Sequence, residues 1–140
     1  MKGSGKYRLG WWIGLFGLLP VTLSGCDPVV TYTYQVTNAT ARTVTVRVKA
    51  YRHLRLDSAG YEKQFVLAPR AAETIYVYTG VGTPSDLRGG DSLYLFERLD
   101  LVRDDSVRTR INPKAWDRWT YQQTGKHSAA YRFEVKEDDF

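Results

Sequence analysis

Thr31-Tyr32-Thr33-Tyr34-Gln35-Val36-Thr37 sets an apolar or aromatic residue against a polar one at every step, and Thr43-Val44-Thr45-Val46-Arg47-Val48-Lys49 soon repeats the pattern. Successive side chains of a strand point to opposite faces, so a period of two marks a half-buried strand with one dry side. Tyr32, Tyr34 and Val36 make one dry face, and Val44, Val46 and Val48 make another. Between them Asn38-Ala39-Thr40-Ala41-Arg42 is a polar connection of hairpin length, which predicts antiparallel neighbours. On the second strand Val46→Asp is expected to unfold the domain, and Thr45→Asp, on the opposite face, to be tolerated.

Working outward, no helical period is sustained after Cys26, and further alternating runs cover 62–67, 73–79, 92–99, 106–111, 116–121 and 130–136. Turn-forming residues separate them: Asp57 to Gly60, Ala68-Pro69-Arg70, Gly80 to Gly90, Asp104-Asp105, Asn112-Pro113 and Thr124-Gly125. Strands at roughly ten-residue spacing predict an all-β, antiparallel β-sandwich of about seven to nine short strands, with a small barrel as the alternative. Gly80 to Gly90 is the one long loop.

The 140 residues suffice for one domain. The formal charge of +5 owes much to Lys2, Lys6 and Arg8. Without residues 1–25 the chain has 17 Lys and Arg against 15 Asp and Glu, so bulk charge gives no argument for nucleic acid as a partner. A single cysteine excludes an internal disulfide and a cysteine-based metal cage. Core packing alone must hold the domain, and nine Tyr, four Phe and two Trp after Cys26 supply bulk for it.

The amino-terminal segment reads as an address. Met1 to Arg8 is basic, and Leu9 to Leu23 is an uncharged, mostly apolar run of fifteen residues, the anatomy of a signal peptide. A membrane-spanning helix needs about 20 apolar residues, and Gly10, Gly14, Gly17 and Pro20 interrupt this shorter run. Its end, Leu23-Ser24-Gly25-Cys26, resembles the lipobox of bacterial lipoproteins: a branched residue, two small residues that let a peptidase hold extended backbone closely, and the cysteine whose thiol takes lipid. The resemblance implies a signal peptide over 1–25, cleavage before Cys26, a lipidated tether over 26–30 and a single domain over 31–140. It also implies a cell-envelope location, anchored to the inner or outer membrane by diacylglycerol and fatty acyl chains such as palmitate, which together hold durably. Asp27 resembles the inner-membrane retention signal of enterobacterial lipoproteins, a rule that does not extend to all phyla.

Leu23 to Cys26, Val30 to Thr37, Asp105 to Pro113 and Tyr131 to Phe140 together resemble the small immunoglobulin-like lipoproteins of the Bacteroidota. In these a lipobox precedes a Tyr- and Thr-rich first strand, and the chain ends in a strand, a few acids and an aromatic. The resemblance implies an immunoglobulin-like sandwich and adds little on activity.

Residues with chemical potential are sparse. No Gly-x-Ser-x-Gly elbow is present, and Arg52-His53 near Asp57-Ser58 is proximity without triad geometry. His53 and His127 lack companions at metal-ligand spacing and read as surface histidines. Asp104-Asp105 reads as a turn and Glu137-Asp138-Asp139 as a solvated tail, neither with calcium-loop spacing. No phosphate-binding loop opens a helix, so no cofactor is expected and the chain does not read as an enzyme.

The most pointed cluster is Arg108, Arg110, Lys114, Trp116, Arg118 and Trp119, a possible surface for an anionic polymer or glycan. Alternation sends Trp116 and Trp119 to opposite faces, leaving one indole free to stack beside guanidinium groups. It also puts Arg108 and Arg110 on one side, with Val107 and Ile111 pointing inward. The plainer reading is a solvated strand face whose long stems cover apolar surface. The function expected is a non-catalytic binding module for an envelope protein, glycan or lipid. The alternative is an inhibitor that inserts the Gly80 to Gly90 loop into a hydrolase, with an enzyme and a barrel for apolar ligands ranked below.

Overall fold

The computed structural model describes residues 28–51, 61–87 and 93–140. The basic start, the apolar run, Leu23 to Cys26, Asp27, His53 and the end of the Gly80 to Gly90 loop lie outside the described residues.

The chain forms two four-stranded sheets packed as a sandwich, and they do not close into a barrel. One sheet has the order β4-β1-β8-β7 and holds β1 (Val29–Asn38), β4 (Ala72–Val81), β7 (Trp119–Gly125) and β8 (Ser128–Val135). The other has the order β3-β2-β5-β6 and holds β2 (Val44–Ala50), β3 (Tyr61–Leu67), β5 (Phe96–Arg103) and β6 (Val107–Arg108). All pairings are antiparallel except that of β1 with β8, where Tyr34 lies beside Tyr131 in a parallel ladder. Parallel neighbours need a long connection, here nearly the whole domain.

The dry faces lie where alternation puts them. Tyr32, Tyr34 and Val36 are buried, as are Val44, Val46 and Val48, while Thr31, Thr33, Gln35 and Thr37 are partly exposed. The pairing of the two strands differs from expectation: β1 and β2 belong to different sheets and face one another across the core. A dry face is satisfied equally by a lateral neighbour or by an opposing sheet, so periodicity alone does not separate a hairpin from a crossing. The side chain of Asn38 holds the crossing in place. Its amide donates to the carbonyls of Arg42, Leu67 and Ala68, and its oxygen accepts from the backbone and hydroxyl of Thr40.

Three strands are displaced from their expected limits. Leu93 and Leu95 are buried in a turn ahead of β5, which starts at Phe96 rather than Ser92. β6 is only two residues long, because the chain then leaves the sheet edge and Arg110 N–H donates to Asp139 C=O instead. Trp116–Arg118 is a 3-10 turn, so β7 begins at Trp119.

Thr45 is 2% exposed, contrary to its assignment to a solvated face. Val66 and Val102 are its register partners, and its hydroxyl donates to Asp105 Oδ1 at 3.3 Å. Thr45→Asp would bring two carboxylates together there. Asp104 and Asp105 do form a turn, both with positive φ (46° and 59°). The acidic tail is solvated at Glu137 and Asp138 as expected, but it is also docked. Glu137 accepts from Ala41 N–H at 2.7 Å and pairs with Arg103 at 2.8 Å, while Asp139 is buried and accepts from Lys136 N–H. Phe140 is also buried, its ring 4.8 Å from the Arg103 guanidinium carbon.

An aromatic assembly fills the centre. Tyr34 stacks on Tyr131 at 5.2 Å and meets Phe96 and Trp119 edge-on at 5.5 and 5.9 Å. Such pairs contribute about 0.5–1.5 kcal/mol each beyond the area they bury.

Candidate functional site

The structure disperses the basic and aromatic cluster read from the sequence. Arg108 and Arg110 are exposed, and Ile111 packs partly buried on the core. Val107 is 38% exposed rather than inward, because β6 is a short edge strand with little laid over it. Lys114 lies in the connection to β7, where its carbonyl accepts from Leu93 N–H. Trp116 and Trp119 are both buried, which corrects the expectation of one free indole. Three residues complete a 3-10 turn, so positions 116 and 119 point the same way, into the sandwich. Trp119 donates to Pro113 C=O at 2.9 Å and Trp116 packs on Tyr131 at 5.3 Å, leaving no exposed stacking platform at these positions. His127 is exposed in the β7–β8 turn, its carbonyl accepting from Thr31 N–H.

Of that cluster, Arg118 lines an open groove of about 450 Å³ on the outer face of the β1, β8 and β7 ladder. Thr37, Thr120, Arg132, Glu134, Lys136 and Asp117 share its walls. Arg132, Glu134 and Lys136 are there because Tyr131, Phe133 and Val135 point inward, and alternation sends the residues between them outward.

Each cation of the groove has a partner. Arg118 lies 3.5 Å from Asp139, Arg132 Nε donates to Gln35 at 3.2 Å, and Lys136 lies 3.5 Å from Glu134. The exposed pairs are weak, so a ligand can exchange them at small cost. With Asp117 and Glu134 beside Arg118, Arg132 and Lys136, the walls carry charges of both signs and the hydroxyls of Thr37 and Thr120. That suits a small polar ligand, such as a sugar or a zwitterionic peptide, better than a polyanion. Among the described residues no cluster of His, Cys, Asp and Glu is arranged to hold a metal ion.

The interior also holds groups with unusual proton affinity. Burial, and then the neighbouring Tyr131, raises the Tyr34 hydroxyl well above the ordinary tyrosine range, and Tyr34 Oη has no hydrogen-bond partner. Tyr131 is raised too, first by burial and also by Asp86, to which its hydroxyl donates at 3.2 Å. Below the unfolded value near pH 10 both states keep these protons and stability is full. Above it the unfolded chain loses protons that the folded chain retains, so stability falls as pH rises, by about 1.4 kcal/mol per pH unit for each such tyrosine. Urea midpoints measured between about pH 9 and pH 11 should therefore fall, with a shallower slope in Tyr34→Phe. An equal slope in that variant would remove Tyr34 as a cause.

Comparison with protein-family models, with curated proteins and with solved structures gives no match.

Proposed function

We propose that the chain is a lipid-anchored lipoprotein of the bacterial cell envelope, cut before Cys26, whose sandwich is a non-catalytic binding module of the small immunoglobulin-like kind met in the Bacteroidota. The observation that carries this reading is Leu23-Ser24-Gly25-Cys26 at the end of a fifteen-residue apolar run behind a basic start. The spacing agrees with it, because β1 begins at Val29 and leaves only a short tether. Lipid on Cys26 holds the domain at the surface of the inner or outer membrane. The groove beside Arg118, Arg132 and Lys136 then receives a small polar ligand or a polar segment of an envelope partner.

A hydrolase inhibitor is the second reading. It draws on the loop after β4, where Ser85 N–H and Leu87 N–H donate to the hydroxyls of Tyr32 and Tyr131, a fixed backbone of the sort an inhibitory loop needs. Recovery of a stoichiometric complex with a hydrolase would favour it.

Cys26→Ala should abolish incorporation of labelled palmitate and leave the precursor uncut. Metabolic labelling followed by electrophoresis checks both. Labelled alanine variant would overturn the anchor.

A further inference from the structure

Among the described residues the two ends of the sandwich differ in chemistry. At one end β1 and β8 begin, β4 and β7 finish, and β2 runs out beside the start of β5. Val29 and Val81 are cross-strand partners there, 57% and 71% exposed. Beside the second sheet Tyr51, just past β2, and Tyr94, just ahead of β5, are brought together at the same end, Tyr51 N–H donating to Leu95 C=O, and are 37% and 53% exposed. Four of the seven large apolar side chains exposed among the described residues thus share one end, while Val66, Val77 and Val107 are scattered. Lys126 is exposed in the β7–β8 turn at this end, and the carboxylate of Asp86 accepts from the buried Tyr131. The opposite end has the exposed acids Asp104, Asp105, Glu137 and Asp138.

The chain comes in at the apolar end. Pro28 C=O accepts from Gly82 N–H at 2.7 Å, a bond that fixes the first described residue against the loop after β4. Gly82 has φ 122°, a conformation that side chains rarely adopt, so this clasp requires glycine. Two residues of extended chain reach at most about 7 Å, so lipid on Cys26 would hold this end within that distance of the headgroups. Tyrosine rings prefer the headgroup level, valines add apolar contact, and a lysine pairs with lipid phosphate.

We infer that the end of the sandwich bearing Val29, Val81, Tyr51, Tyr94 and Lys126 is a bilayer-contacting surface that takes phospholipid headgroups and sets the domain upright on the membrane. The inference rests on lipid attachment at Cys26. It gives the domain a fixed orientation: the acidic end points away from the bilayer, and the groove, whose Thr37, Glu134 and Lys136 lie toward that acidic end, is presented to the compartment.

Cys26 is the only cysteine and its sulfur is consumed by lipid in the mature protein, so a new cysteine can be spin-labelled alone. The test uses full-length protein matured in cells and reconstituted into vesicles of phosphatidylethanolamine and phosphatidylglycerol, with Val81→Cys, Tyr94→Cys or Val66→Cys. Labels at 81 and 94 should show a ratio of oxygen to aqueous nickel-chelate collisions roughly tenfold above that at 66, as expected for groups seated in the headgroup and acyl boundary. Position 94 decides orientation, because it lies in the turn that leads into β5, a strand of the sheet that does not hold the tether. A vesicle-bound protein in which 94 reads as water-exposed as 66 overturns the surface and leaves the anchor standing. A chain that takes up no fatty acid overturns both.

Discussion

Val46→Asp should abolish the folded state, whereas the same substitution at Val66 should leave the urea midpoint within a few tenths molar of the wild type. Val46 is fully buried at the centre of β2, with Phe65 and Leu101 as register partners. A carboxylate there has no partner, and an uncompensated buried charge costs about 3–5 kcal/mol against a total stability of about 5–15. The lost valine contacts add to that. Val66 is 65% exposed on the edge strand β3, where Glu62, Lys63 and Gln64 already present polar groups that discourage pairing with another chain. A charge at 66 continues that pattern. Thr45→Asp should fall between the two, losing about 1–3 kcal/mol, since the site is closed over and faces Asp105. Equal midpoints for the Val46 and Val66 variants would mean that the inward face of β2 is wrongly assigned.

These variants also show how far the sequence could be read. Alternation depends on local backbone geometry alone, so Tyr32, Tyr34 and Val36 on β1 and Val44, Val46 and Val48 on β2 are legible as inward residue by residue. What lies over an outward side chain depends on segments distant in sequence. Thr45 is covered because the β5–β6 turn, sixty residues on, brings Asp105 over it. Trp116 was misdirected for a different reason: the period of two was extended through a 3-10 turn that has a period of three. The charges of the tail predict solvation, which holds for Glu137 and Asp138, yet Glu137 and Asp139 also accept from backbone groups and pair with Arg103 and Arg118. Charge predicts solvation only where no unpaired backbone donor or guanidinium waits nearby. The groove is not legible as a unit because its walls come from positions 37, 117, 118, 120, 132–134 and 136, which become neighbours through the parallel pairing of β1 with β8 and the antiparallel pairing of β7 with β8.

Asn38 should prove the costliest polar residue of the domain to replace. It is fully buried at the end of β1, and its side chain makes five hydrogen bonds of 2.7–3.1 Å. Three run from its amide to carbonyls on two separate sheet crossings, Arg42 on the path from β1 to β2 and Leu67 and Ala68 on the path from β3 to β4. Its backbone adds two more links, with Asn38 N–H donating to Ala71 C=O and Arg70 N–H donating to Asn38 C=O. Both crossings are thus fastened at one residue, and with them the stacking of the two sheets. Asn38→Ala leaves Thr40 N–H without its acceptor in a dry setting and removes the amide bonds to three carbonyls, and it should cost about 1–3 kcal/mol or more, the loss expected for an unsatisfied buried group. Asn38→Asp keeps the shape and fills the same space, but it removes both amide hydrogens and sets a carboxylate against three carbonyl oxygens. It should destabilise at least as much as alanine. If bulk rather than hydrogen bonding were what matters at this site, aspartate would instead recover most of the loss. Urea denaturation of the two variants beside the wild type separates these outcomes, and an aspartate variant close to wild type would dismiss the amide as the fastening that joins the sheets.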